Sequence, residues 1–133
     1  MYVTREADYA VRCVLYLAQN PDKTASAKAI SESMEIPRTF LAKILQRLAA
    51  KGIVSSVRGV AGGFQLAKKP REISLLDVIE AIQGPSAMNV CAIDRRRCSR
   101  SSTCTVHPIW TEIRTHVEKR LRRENFATLA KKG

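Results

Sequence analysis

A chain of 133 residues with 23 basic and 12 acidic side chains carries a formal charge of +11. With 45% hydrophobic residues it has enough apolar mass for one real core, and no apolar run approaches the roughly 20 residues of a membrane-spanning helix. The start, Met1 to Glu6, lacks an apolar run behind a basic segment, so a cytoplasmic protein is expected, whose four cysteines are reduced thiols or metal ligands rather than disulfides. The charge calls for an anionic partner: nucleic acid, a membrane surface or an acidic protein.

Thr4 is placed to cap a first helix with Glu6 and Asp8 in its first turn, and Ala7, Ala10, Val11, Val14, Leu15 and Ala18 recur at helical spacing up to Asn20-Pro21-Asp22. Cys13 lies close to that apolar face and reads as a buried structural thiol. Ser26 caps a short second helix, Ala27 to Met34. Pro37 opens a third helix that runs to about Lys51 and stops at Gly52. Phe40, Leu41, Ile44, Leu45 and Leu48 form its apolar stripe, while Thr39, Ala42, Lys43, Gln46 and Ala50 form an opposite face that is small or polar and never acidic. A short helix, a tight turn and such a helix make a helix-turn-helix, and small side chains outward let the backbone approach base edges in a major groove.

Between Glu35 and Glu72 no acidic residue occurs, yet Arg38, Lys43, Arg47, Lys51, Arg58, Lys68, Lys69 and Arg71 fall there. A segment stripped of carboxylates suits phosphates. Ile53 to Arg58 alternates like a strand, Gly59-Val60-Ala61-Gly62-Gly63 turns, and Phe64-Gln65-Leu66 returns. This hairpin reads as a wing with Arg58 at its shoulder, placed for a minor groove or the backbone. The candidate DNA contacts are therefore Arg38, Thr39, Phe40, Lys43, Gln46, Arg47, Arg58 and Gly59. Ser74 and Asp77 form a capping box for a helix ending at Gly84-Pro85.

From Ser86 to His107 no periodicity is evident, and three cysteines crowd the stretch: Cys91-x6-Cys98-x5-Cys104-x2-His107. Arg95, Arg96, Arg97 and Arg100 leave little apolar mass to order it, so a bound centre is expected to tie it down. Three thiolates and an imidazole suit structural zinc, but the long unequal spacings suit an iron–sulfur cluster, whose negative charge the arginines would balance. A disulfide would leave one cysteine over. Pro108 then restarts a long helix with Ile109, Trp110, Ile113, Val117 and Leu121 on one edge, a narrow stripe among charges that reads as a seam for another helix. His116 and the pair Glu118 and Arg122 belong to its solvated faces. No catalytic grouping of Ser, His and Asp, no paired carboxylates and no phosphate loop emerges, so no enzyme and no small-molecule substrate is expected.

These features resemble the IscR/NsrR-type (BadM/Rrf-two) family of winged-helix iron–sulfur transcriptional regulators. The resemblance rests on Tyr9-Ala10-Val11-Arg12, Pro37-Arg38-Thr39-Phe40-Leu41 through Leu48, the wing Ile53 to Gly59 with Gly62-Gly63, Ile73 to Ile79, and the cysteine loop. It implies a homodimer joined by the long C-terminal helices, each subunit setting one winged helix on an operator half-site of double-stranded DNA. It also implies that Cys91, Cys98 and Cys104 hold a cluster, 2Fe–2S or alternatively 4Fe–4S, whose state changes DNA affinity. The fourth ligand that the resemblance implies is His107, in place for the branch with a histidine just after the last cysteine; the alternative is Asp8 contributed across the dimer. The first cysteine gap is six residues where five is common, and Met34-Glu35 stands where the turn often has glycine.

The expected fold is mainly α with a small β-hairpin wing: a winged helix-turn-helix over 1–84, a cluster loop over 85–107, and a dimerisation helix and tail over 108–133, in one structural domain. Two rivals remain at this point: a zinc-stapled regulator without sensing, and a winged helix whose basic surface meets an acidic protein.

Overall fold

The computed structural model describes residues 2–85 and 87–132; Met1, Ser86 and Gly133, at the edges of the three expected units, lie outside the described residues, as does the side chain of Lys132. The elements in order are α1 (Arg5–Gln19), α2 (Ala27–Met34), α3 (Arg38–Ala50), β1 (Val54–Val57), β2 (Gly63–Leu66), α4 (Leu75–Gln83), α5 (His107–Arg123) and α6 (Phe126–Lys132). Short 3-10 turns lie at Pro70–Glu72, Val90–Ala92 and Arg95–Arg97. No helix among the described residues is long and apolar enough to cross a membrane.

The helix starts follow from their caps. The Thr4 hydroxyl accepts from the Ala7 N–H and the Ser26 hydroxyl from the Ala29 N–H, each satisfying one donor of an open first turn. Ser74 and Asp77 form the reciprocal capping box, and Gly84 closes α4 at φ 72°. Helix α1 is the axis of the core, packed by α2, α3, α4 and α6, with Ala7, Ala10, Cys13, Val14 and Leu17 facing inward. Burial pushes the Cys13 thiol up to about 12, so it is a packing group and not a reactive one.

Helix α3 buries Leu41, Ile44, Leu45 and Leu48, the expected stripe, against α1 and α4. Phe40 differs: it is 39% exposed and meets the buried Tyr9 edge-on, with ring centroids 5.8 Å apart. At the α2–α3 turn Glu35 takes up the left-handed conformation, φ 55° and ψ 49°, in place of a glycine. The turn is held from both sides, because the Ser31 hydroxyl donates to the Ile36 carbonyl and the Arg12 guanidinium to the Met34 carbonyl.

Strands β1 and β2 pair antiparallel, with Val54 opposite Leu66 and Val57 opposite Gly63. The hairpin is also stitched to the α1–α2 connection, where Ala25 and Phe64 exchange two backbone bonds of 2.8 Å. That approach explains Gly63, since a Cβ there would stand 2.5 Å from the Ala25 carbonyl oxygen. Gly63→Ala is expected to force the wing off Ala25 and cost about 1–3 kcal/mol, read as a lowered urea midpoint together with loss of hydrogen-exchange protection at Ala25 and Phe64.

Within the C-terminal segment, the residues expected as a tail form a further short helix. The chain leaves the helical course at Glu124 and Asn125, and α6 turns back onto α1 and the Pro70–Glu72 turn, with Phe126 wholly buried. The apolar edge of Ile109, Trp110, Ile113, Val117 and Leu121 belongs to α5, while α6 packs on α1 and the Pro70–Glu72 turn.

Candidate nucleic-acid interface and cysteine loop

The outward face of α3 presents Arg38, Thr39, Ala42, Lys43, Gln46 and Ala50, all exposed. Beside it the hairpin presents Arg58 and Gly59, with Val60 fully in solvent. The tip is braced by the Thr24 hydroxyl, which donates to the Ala61 carbonyl at 2.9 Å. Arg38, Lys43 and Arg58 have no ion-pair partner among the described residues, whereas Arg12, Arg47, Arg96, Arg114, Arg120 and Arg122 each meet a carboxylate. Free cations beside small, hydrogen-bonding residues on one projecting helix make a surface fitted to phosphates and base edges.

Arg47 has internal partners as well. Its guanidinium donates to the Ile82 carbonyl in the last turn of α4 and lies 3.4 Å from the Glu6 carboxylate, so it joins α3 to α4 and α1 while its side chain stays 49% exposed. Phe40 stays at the edge of the outward face, half turned toward Tyr9. Arg12 of α1 stacks 5.4 Å from the Tyr9 ring centre while bonding Asp8 and the Met34 carbonyl. It reaches the last residue of α2 through a backbone carbonyl, a partner that no residue pattern displays. Its bond to Asp8, at 3.0 Å, also occupies the alternative fourth ligand.

The loop after α4 packs its first 3-10 turn on α5, where Arg114 donates to the Ala92 carbonyl at 3.4 Å and pairs with Glu118 at 2.8 Å. Asp94 caps the second turn by accepting from the Arg96 N–H, and the Arg96 side chain holds its carboxyl below the usual range. Ser101, buried, reaches the Arg95 and Cys98 carbonyls at 2.9 and 3.1 Å. Three-residue turns closed by such local bonds carry no hydrophobic period, which is why the stretch reads as aperiodic.

All four cysteines are free thiols; Cys91 is buried, and Cys98 and Cys104 are half-buried. Cys104 stands just before α5, where the Val106 and His107 N–H groups, and then the Arg100 charge, draw its thiol below the ordinary value. His107 opens α5, is buried, and its Nδ1 has no hydrogen-bond partner among the described residues. Among the described residues no three His, Cys, Asp or Glu side chains stand close enough together to share a metal, so Cys91, Cys98, Cys104 and His107 are brought onto one loop but not into one site. The donor set nonetheless fits a soft metal–sulfur centre: unbridged thiols, one of them drawn toward thiolate, and a buried imidazole nitrogen lacking a partner.

A family model described as an iron-dependent transcriptional regulator, Rrf2, matches residues 3–132. A helix-turn-helix-type transcriptional regulator of Aquifex aeolicus is 36% identical over 112 residues, 83% of this chain and 78% of that protein. IscR of T. potens superposes with a TM-score of 0.81 at 25% identity, covering 99% of this chain and 88% of that one. CymR, the global cysteine regulator of B. subtilis, superposes with a TM-score of 0.82 at 22% identity over 100% of this chain and 98% of that one, a likeness of fold. With the family model spanning nearly the whole chain and a winged helix whose outward face is cationic, the protein belongs to the Rrf2 family of DNA-binding transcriptional regulators, and is not an enzyme.

Proposed function

We propose that the protein is a cytoplasmic homodimer that binds duplex operator DNA with an affinity set by an iron–sulfur cluster, 2Fe–2S rather than 4Fe–4S, held by Cys91, Cys98, Cys104 and His107. The observation that carries the reading is the join of loop and α5. Three free thiols and a buried His107 Nδ1 without a partner among the described residues stand on one loop and its join to α5, and the Val106 and His107 N–H groups lower the Cys104 thiol. When bound, the cluster supplies a metal–sulfur centre whose occupancy and charge respond to iron supply, redox state or nitric oxide.

The chain's own residues supply the coupling. The loop hangs between Gly84, which ends α4, and His107, which begins α5. Gathering the four ligands would move this loop, which rests on α5 through the Arg114–Ala92 contact and follows directly on the last turn of α4. That last turn is where Arg47 of α3 is anchored, so a displaced α4 terminus moves the DNA-reading helix. The dimer is supported by the seam on α5, where Ile109 is half exposed beside Trp110, Ile113, Val117 and Leu121. In the dimer, Arg38, Thr39, Lys43, Gln46, Arg58 and Gly59 meet the DNA, with Phe40 at the margin; two such helices read half-sites about one helical turn apart, so their separation and tilt set affinity.

Anaerobically purified protein is expected to be brown with visible absorbance, and its affinity for operator DNA to differ from that of the metal-free form. His107→Ala is expected to shift the visible spectrum, and Asp8→Ala to leave it unchanged. Colourless protein holding stoichiometric zinc, with equal DNA affinity in both forms, would replace the sensor by a structural staple.

A further inference from the structure

The acid-free stretch from Ile36 to Arg71 does not form one surface. Arg38, Lys43 and Arg58 lie toward the start of α3 and the wing tip. Lys68, Lys69 and Arg71 follow β2 at the base of the hairpin, where the Ala67 N–H closes onto the Ile53 carbonyl. A four-residue strand rising about 3.3 Å per residue separates that base from the tip by about 13 Å. Here the three cations rim an open groove of about 460 Å³ between the α1–α2 connection, the Pro70–Glu72 turn and the start of α6. Pro21, Leu66, Ala67, Pro70 and Ala127 give the lining its apolar part, and Asp22 is the one carboxylate among the described lining residues.

We propose that this groove docks an acidic protein segment that carries an apolar anchor. Lys68, Lys69 and Arg71 are exposed and have no ion-pair partner among the described residues, so their charge is free for a ligand. A duplex offers phosphates but no flexible apolar group, and a convex rod leaves an apolar floor wet. An extended peptide with alternating carboxylates and aliphatic side chains satisfies both parts at once: the aliphatic group is desolvated on Leu66 and Pro70 while its carboxylates meet the cationic rim. The groove's openness favours such a segment over a small molecule, which needs enclosure. Because the site sits at the hairpin base, it remains open while α3 and the wing tip are on DNA, so a regulator on its operator can hold a protein partner there.

The test titrates the full-length protein, labelled with nitrogen-15, with a synthetic peptide alternating Asp or Glu with Leu. Shifts are expected at the amides of Ala67, Lys68, Lys69, Arg71 and Ala127 and not at Thr39, Gln46 or Gly59. They are expected to vanish when the peptide's acids are replaced by Asn and Gln, or its leucines by Ser. The double variant Lys68→Glu with Lys69→Glu, both exposed and its fold checked by the same spectrum, should weaken the peptide about tenfold or more while leaving duplex DNA binding nearly unchanged. The proposal is overturned if no shifts arise, if they fall on α3 and the wing, or if the acid-free peptide shifts the same amides. It is equally overturned if the double variant loses DNA affinity as Arg58→Ala does, which assigns the groove to DNA, or if those amides shift with protein concentration alone, which assigns it to a second copy.

Discussion

Truncating Phe126 to alanine is expected to cost about 3–5 kcal/mol, the upper range for a large side chain removed from a packed interior. Phe126 is wholly buried, its N–H donates to the Ile73 carbonyl at 3.1 Å, and Leu129 and Ala130 pack behind it on the same core. The segment before it is fastened as well, since the Leu75 N–H donates to the Glu124 carbonyl at 2.8 Å and Asn125 bridges Ser74. Losing Phe126 therefore removes the anchor of α6 and loosens the start of α4 together. Urea denaturation followed by circular dichroism should show a large drop in midpoint, against almost none for Lys131→Ala on the exposed side. An unchanged midpoint in Phe126→Ala, with weakened self-association instead, would place residues 126–132 in a contact between two copies of the chain.

That contrast marks where the sequence was readable. Capping is a local code, so Thr4, Ser26 and the Ser74–Asp77 box placed three helix starts, and the buried period of Leu41, Ile44, Leu45 and Leu48 oriented α3. The wing glycines were visible for the same reason, because turn chemistry is written in neighbouring residues. Helix α6 escaped because seven residues offer too few turns for a period to show, and the Arg122-Arg123-Glu124 run continues the charged pattern of α5. One signal was available: the Asn125 carboxamide accepts from the Thr128 N–H at 3.0 Å, a helix cap standing just before Phe126. Arg47 and Arg12 escaped for a different reason, since both act on backbone carbonyls, of Ile82 and Met34, which every residue possesses. The loop's donor residues could be counted from the chain, but its turns depend on the buried Ser101 hydroxyl reaching two carbonyls, and a lone serine carries no such signal.

DNA affinity is expected to fall about a thousandfold between 50 and 200 mM salt, if each protomer of the proposed dimer sets Arg38, Lys43 and Arg58 on phosphates. Neutralising about six phosphates gives a log–log slope near −5, because each contact releases close to 0.9 of a counterion. Arg58→Ala should lower specific affinity at physiological salt and flatten the slope by about one for each contact removed. Arg58 is exposed and has no ion-pair partner among the described residues, so the fold loses nothing and the urea midpoint should stay in place. Arg47→Ala should do the reverse. It frees the Ile82 carbonyl and the Glu6 carboxylate, costing about 1–3 kcal/mol of stability, read as a lowered urea midpoint, while leaving the salt slope as it was. Fluorescence anisotropy of a labelled duplex over a salt series, run beside urea melts of the same two variants, reads both quantities. Unchanged affinity in Arg58→Ala at physiological salt would remove the wing from the interface. A flattened slope in Arg47→Ala would turn that guanidinium outward onto the DNA and away from α4.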